Sequence, residues 1–138
     1  MRLAVIVGKY HKEVAEAMLA DAQAKAKELK VTLDPVVWVP GSYEVPLAAQ
    51  ELLERKDVDG IVVLGLIERG ETLHGEQMGS VVSRLLKELE LRHRKPVGMG
   101  IIGPGAVKAQ ARRRVGYAGA AVAAAAEAAE LLRKLQRG

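Results

Sequence analysis

The sequence predicts an α/β fold in which a doubly wound sheet of four parallel strands lies between layers of helices. Short apolar runs rich in Val, Ile and Leu alternate along the chain with segments of helical period. The runs are continuously apolar, as is typical of strands buried on both faces. The predicted strands are Leu3–Val7, Pro35–Val39, Gly60–Leu66 and Val97–Ile101. The pattern leaves their order open among the few doubly wound arrangements that right-handed crossovers allow.

Four segments between and after these strands have helical period. Helices are predicted over His11–Lys30 and Tyr43–Arg55, from an N-cap near Thr72, and over Tyr117–Gln136. The third helix carries apolar residues at three-and-four spacing, which predicts a core stripe. The stripe consists of Met78, Val81, Val82, Leu85, Leu86 and Leu89.

Length and composition restrict the class of protein. A chain of 138 residues fits one domain, and the absence of Cys excludes disulfides, zinc–thiolate sites and a Cys nucleophile. Apolar runs fall far short of the roughly 18 residues of a membrane span, so a cytoplasmic protein without a membrane partner is expected. The net charge of +4 comes without interleaved aromatic residues. This favours an anionic small molecule or a solvated face over nucleic acid.

Candidate site residues follow the strands, because ligands of open α/β sheets bind beyond the carboxyl ends of the strands. Tyr10, after the first strand, either stacks on a flat heterocycle or packs over the next helix. After the second strand, Gly41 permits a sharp turn, and the peptide groups of Ser42 and Tyr43 lie at a helix start with free donors. Glu44 suits the hydroxyls of a polyol. Alternatively, Ser42 and Glu44 cap the helix.

The segment after the third strand has the features of an anion site. In the turn Gly70–Thr72, free N–H groups, the positive end of a helix dipole and a hydroxyl converge. His74 follows within the first helical turn and is placed for general acid or base catalysis. After the fourth strand, the turn Gly103–Gly105 leads into a predicted helix that ends near Arg114–Gly116. The triplet Arg112–Arg114 either clamps a phosphate or forms a solvated helix face.

Taken in order, these motifs resemble the lumazine synthase family, and its archaeal branch in particular, over essentially the full chain. The resemblance implies a three-layer, flavodoxin-like form of the predicted fold. The matching segments are Val5–Tyr10, Val39–Ala48, Gly65–His74, Lys95–Val97, Gly103–Gly105 and Arg114–Val115.

The resemblance also implies an activity, a transferase of riboflavin biosynthesis that uses no cofactor and no metal. Such an enzyme condenses 5-amino-6-(D-ribitylamino)uracil with 3,4-dihydroxy-2-butanone 4-phosphate to 6,7-dimethyl-8-ribityllumazine, releasing phosphate and water. The family implies a homo-pentamer with active sites at the subunit interfaces, and in some members pentamers assemble further into a hollow shell.

Eight positions match family residues that bind the pyrimidine and its ribityl chain. Tyr10 takes the position of the stacking aromatic residue, and Met99 that of a neighbouring subunit's Phe that covers the ring. The segment Leu66–Glu68 matches the one whose backbone hydrogen-bonds the uracil edge. The full set is Tyr10, Ser42, Tyr43, Glu44, Leu66, Ile67, Glu68 and Met99.

Four positions match the reacting end of the family's site. The resemblance gives phosphate binding to Glu71, Thr72 and Arg114, and proton transfer to His74. Two departures accompany them, because Gly75 replaces a frequent acidic residue, and Gly119 replaces a Lys that supports phosphate binding in many members.

These departures keep a second class of function open: a non-catalytic flavin- or lumazine-binding module or a shell-forming paralogue. A third possibility is the archaeal riboflavin synthase, which shares the fold but dismutates two lumazines. Its sequence after the third strand lacks the Gly-Glu-Thr-Leu-His arrangement of residues 70–74.

Overall fold

The computed structural model describes the backbone of residues 1–9, 11–68, 74–106 and 114–138, and their side chains except at 67–68, 74–76 and 102–106. The strands are β1 (Arg2–Gly8), β2 (Thr32–Val39), β3 (Gly60–Glu68) and β4 (Val97–Ala106). The helices are α1 (Lys12–Leu29), a short 3-10 helix (Ser42–Glu44), α2 (Val45–Leu53), α3 (His74–His93) and α4 (Tyr117–Arg137).

All four strands form one parallel sheet in the order β2-β1-β3-β4, which confirms the predicted fold class. From β1 the chain moves to β2 at one edge of the sheet. The later crossovers, to β3 and then to β4, lead toward the other edge. The direction therefore reverses between β1 and β3, which are direct neighbours with Val7 paired to Leu64. A switch point of this kind is where ligands bind in open α/β sheets.

Two apolar cores cover the two faces of the sheet. Alternate residues of a strand point to opposite faces, so Leu3, Val5 and Val7 pack with α1 and α4. Ala4 and Ile6 pack with α2 and α3 instead. The continuously apolar strands of the sequence therefore supply both cores.

The predicted start of β2 at Pro35 is wrong, because the strand begins at Thr32. β2 lies at an edge of the sheet, where the polar residues Thr32 and Asp34 are tolerated. The register against β1 shifts between the pairs Leu3–Leu33 and Val5–Val36, so Pro35 lies in an irregularity of an edge strand. Such positions accept proline because no ladder hydrogen bond is required of it.

The core stripe predicted for α3 is only partly correct. Val82, Leu86 and Leu89 are buried, whereas Val81 and Leu85 are 47% and 39% exposed. The apolar stripe is wider than the face of α3 that the rest of this chain covers, so Val81 and Leu85 at its margin remain exposed to solvent. The turn predicted at Gly103–Gly105 is wrong, because β4 continues through these residues to Ala106. The predicted N-cap Thr72 lies outside the described residues, as does the body of the helix predicted before Arg114–Gly116.

Candidate functional site

The carboxyl ends of β1, β2 and β3 meet at three glycines. The Lys9 N–H donates to the Val39 carbonyl at 2.9 Å, which joins the ends of β1 and β2. A Cβ placed on Gly8 would lie 4.0 Å from the carbonyl carbon of Gly41, and one on Gly65 would lie 3.9 Å from the Gly8 Cα. Among the described residues, the atoms nearest to the switch point at these positions therefore belong to backbone rather than to side chains.

The segment that follows β2 turns back over this edge. Gly41 is extended, with φ −162° and ψ −174°, and the Glu44 N–H donates to its carbonyl at 3.2 Å. The resulting 3-10 helix contacts both β3 and α3. Ser42 is buried, whereas Tyr43 is about half exposed. The structure thus brings the sequence-predicted Ser42–Glu44 segment to the switch point.

Capping does not account for the Glu44 carboxylate. Glu44 occupies the N-cap position of α2, yet its side chain makes no cap hydrogen bond, and neither does any side chain at the start of the 3-10 helix. Of the two side chains considered as caps, that of Glu44 therefore does not cap α2. The Glu44 side chain is exposed to solvent.

The end of β3 and the start of α3 complete the edge. The Leu66 side chain is buried in the core on the α1 and α4 face. Ile67 and Glu68 continue β3, and α3 begins at His74. The first turn of a helix has free N–H donors. Tyr10, Glu71 and Thr72 lie outside the described residues, as do the side chains of Ile67, Glu68 and His74.

Met99 lies on β4, the edge strand opposite β2, and packs against the same core as Val45, the residue after Glu44. Met99 is paired with Val63, and it lines a groove of about 460 Å³ between β4, α3 and α4. β2 and β4 are three strand spacings apart, or about 14 Å. Arg114 is exposed in the turn before α4, where its carbonyl accepts the Tyr117 N–H at 3.0 Å.

Gly119, which stands where many family members have a Lys, has a packing role in this chain. Its N–H donates to Asp21 Oδ2 on α1 at 2.7 Å, and a Cβ at this position would lie 2.8 Å from the same oxygen. This contact joins residues 98 positions apart, so no local sequence pattern predicts it. The close approach of Gly8, Gly41 and Gly65 was also not predicted, although Gly8 and Gly65 each lie near the end of an apolar strand, which was the available signal.

Two negative findings apply to the described ranges. Within them, no three or more His, Asp or Glu side chains are grouped so as to hold a metal ion. No helix in this part of the chain has the length and apolar character needed to cross a membrane.

Comparisons with known proteins place the chain in a family. The family model of 6,7-dimethyl-8-ribityllumazine synthase matches residues 1–136. The chain is 39% identical to the 6,7-dimethyl-8-ribityllumazine synthase of Metallosphaera sedula, covering 100% of this chain and 92% of that protein. It is 40% identical to the Methanopyrus kandleri synthase, over 99% of this chain and 96% of the relative. The Staphylothermus marinus synthase is 42% identical over 91% and 85%, respectively. The chain therefore belongs to the 6,7-dimethyl-8-ribityllumazine synthase family.

Proposed function

We propose that this chain forms 6,7-dimethyl-8-ribityllumazine from ribitylaminouracil and dihydroxybutanone phosphate at the carboxyl edge of its sheet. The family match and the relatives named above confirm the synthase function expected from the sequence. The observation that carries the placement is the meeting of three strand ends at the switch point, beside Ser42 and the first turn of α3. We take the chain as one domain of a cytoplasmic enzyme.

The pyrimidine and its ribityl chain are bound by the segments after β1, β2 and β3. The free Glu44 carboxylate accepts from ribityl hydroxyls, and Ser42 and Tyr43 hold the same substrate. The backbone of Leu66–Glu68 pairs with the uracil edge, as the burial of the Leu66 side chain supports. Tyr10 stacks on the ring.

The sugar phosphate binds at the start of α3. Glu71 and Thr72 precede this helix in the chain, and the N–H groups of its first turn and the dipole favour an anion. Arg114 adds a guanidinium that can donate two hydrogen bonds to one phosphate.

The reaction begins when the 5-amino group of the uracil attacks the ketone of the sugar phosphate and water leaves to give an imine. Proton transfer and elimination of phosphate follow, and ring closure releases a second water. His74 moves the protons from its place at the head of α3. Positioning two reactants can lower the barrier by about 7–11 kcal/mol, so alignment contributes more than the acid–base group.

Met99 and Arg114 serve the site of a neighbouring subunit in a homo-pentamer. The position of Met99 in an open groove at the β4 edge supports this, because a neighbouring subunit can reach an edge strand. A ring needs two different complementary surfaces on each subunit. The β2 side has exposed apolar residues in Trp38, Tyr43 and Leu47, and the β4 side has the groove next to Met99.

Incubation of the purified protein with both substrates tests the activity, with product followed by its lumazine absorbance. Formation of lumazine is the expected result. Binding of lumazine without its formation would instead assign a non-catalytic module, and riboflavin formed from added lumazine would assign the riboflavin synthase reaction. Light scattering on the same sample measures the subunit number, for which five or a multiple of five is expected.

A further inference from the structure

The described glycines of the sheet and of α4 fall into two groups according to whether packing requires them. A Cβ on Gly98 would lie 2.4 Å from the Ala121 carbonyl oxygen, and one on Gly100 would lie 2.7 Å from Leu64 Cδ2. A Cβ on Gly60 would lie 2.8 Å from Pro96. Atoms cannot approach this closely without a shift of the neighbouring segment, so the fold itself accounts for these glycines.

Gly8 and Gly65 belong to the other group. Among the described residues, the nearest atoms to a Cβ would be 3.8 Å away at Gly8 and 3.9 Å away at Gly65, which is ordinary van der Waals contact. Both residues lie in extended strands, where glycine has no conformational advantage and costs about 0.5–1 kcal/mol relative to Ala. The described part of the fold therefore gives no reason for glycine at either position.

The two glycines lie side by side at the top of one face of the sheet. Ala4 and Ile6 of β1 and Ile61 and Val63 of β3 point into the core beneath α2 and α3. Because strand residues alternate between faces, Gly8 and Gly65 continue these two columns. The last layer of this core thus has fully buried Ile6 and Val63 below it but no side chain of its own at these positions.

We propose that Gly8 and Gly65 are specificity-determining residues, whose missing side chains provide the space for the heterocycle of the substrate. A flat ring suits this place because two glycine backbones form a flat surface above an apolar floor. A phosphate does not suit it, since neither Ile6 nor Val63 offers a charge or a donor. This inference rests on the proposed function and extends it to two residues that no role has covered so far.

The test uses Gly8→Ala, Gly65→Ala and the larger Gly65→Val in the full-length protein. Equilibrium dialysis measures the Kd for 6,7-dimethyl-8-ribityllumazine, and a thermal melt gives Tm. Inhibition of the reaction by inorganic phosphate measures the affinity of the anion site. We expect Tm near the wild-type value for both Ala variants, a Kd for lumazine raised roughly 10- to 100-fold, and unchanged inhibition by phosphate. Gly65→Val should bind lumazine more weakly still.

Gly60→Ala is the matched control, because it alters the same strand at its other end, where packing does require glycine. It should lower Tm and leave the Kd for lumazine of the folded protein unchanged. An unchanged Kd in both Ala variants would overturn the proposal, and so would a loss of Tm in them as large as that of Gly60→Ala. The wild-type assay is scored separately: an active wild type with unaffected variants refutes only this inference, whereas a wild type that binds lumazine but forms none refutes only the synthase function.

Discussion

The two ends of the sheet are stabilised in different ways. At the amino end, the Arg2 N–H donates to the Asp59 carboxylate at 2.8 Å, and Lys95 Nζ donates to the carbonyls of Leu53 and Arg55 at 2.9 and 2.7 Å. At the carboxyl end, the Ser42–Glu44 helix begins without a side-chain cap, and glycines replace side chains at the ends of the strands. Among the described residues, polar side chains therefore join neighbouring segments at the amino end, whereas glycines leave mainly backbone at the carboxyl end.

This difference separates stability from function along the same strands. Substitutions in the packed parts of the sheet should change the free energy of unfolding with little effect on the affinity for substrates. Substitutions at the carboxyl end should change affinity or turnover with little effect on unfolding. A large exception in either direction would show that the two ends are energetically coupled.

The largest effect is expected from Gly98→Ala in β4. Its Cβ would lie 2.4 Å from the carbonyl oxygen of Ala121 and 3.2 Å from the Cβ of Ala125, so α4 must move away from the sheet. We expect the free energy of unfolding to fall by about 3 kcal/mol, measured by urea denaturation. Gly116→Ala is the control, because no described atom lies within 4 Å of its Cβ. A loss below about 1 kcal/mol at Gly98 would contradict the packing argument.

Removal of the guanidinium of Arg114 should give the next largest effect, and it should be confined to one substrate. Arg114→Ala is expected to raise the KM for the sugar phosphate about 30-fold, or about 2 kcal/mol, the energy of a hydrogen bond to a charged group. The KM for the pyrimidine should change far less. Steady-state kinetics with each substrate varied in turn measure both values. Arg133→Ala, at the far end of α4, is the matched control, and an unchanged sugar-phosphate KM in Arg114→Ala would exclude the clamp.

His74→Ala should slow turnover by about tenfold rather than abolish it. A well-placed acid–base group contributes about 10²–10⁴-fold, and we expect less here because alignment of the substrates is retained and water can relay the proton. Single-turnover kinetics at saturating substrates measure the chemical step. The control is His93→Ala at the other end of α3, where Nδ1 lies 2.9 Å from the Leu89 carbonyl oxygen. A loss of more than about 10⁴-fold in His74→Ala would mean that proton transfer, not alignment, dominates.

Asp21→Ala should have a smaller effect, on stability rather than on turnover. The variant leaves the Gly119 N–H at the start of α4 without the acceptor it has at 2.7 Å. The free energy of unfolding, measured by urea denaturation, should fall by about 1 kcal/mol, as for the removal of other side-chain acceptors at helix N-termini. Asp21→Asn retains an acceptor oxygen, so this variant should keep most of the stability that Asp21→Ala loses. Equal losses in the two variants would assign the effect to charge rather than to the hydrogen bond.

The sequence predicted what depends on local pattern and missed what depends on contacts between distant segments. Apolar continuity predicted all four strands, and the motif order predicted the family. The start of β2 was missed because Thr32–Asp34 is polar, and only the edge position of the strand explains why it pairs. The Asp21–Gly119 contact and the exposure of Val81 became visible only in the folded chain. Within the candidate site, the structure brings Ser42–Glu44 against β3 and α3 and buries the Leu66 side chain, while the ligand roles of all the site residues stay predictions.

The smallest effect concerns the exposed ion pair between Arg55 and Asp57, near the amino end of the sheet. Two hydrogen bonds of 3.0 and 2.8 Å join the guanidinium to the carboxylate, and they lower the pKa of Asp57 below its ordinary value of 3.8. A lowered pKa in the folded state means that the pair stabilises the fold above the unfolded value of 3.8, and that this contribution is lost as the pH falls through the folded pKa.

Asp57→Asn should therefore be slightly less stable than the wild type at about pH 7, and the difference should vanish near pH 2, where the carboxyl is protonated. Both side chains are exposed to solvent, so added salt should reduce the difference at neutral pH as well. Urea denaturation of both proteins at the two pH values, at low and at high salt, measures this difference in the free energy of unfolding. A difference that persists at low pH would assign the effect to the geometry of the turn rather than to the charge. The amino end would then owe its stability to hydrogen bonds and packing, and the contrast with the open carboxyl end would be sharper.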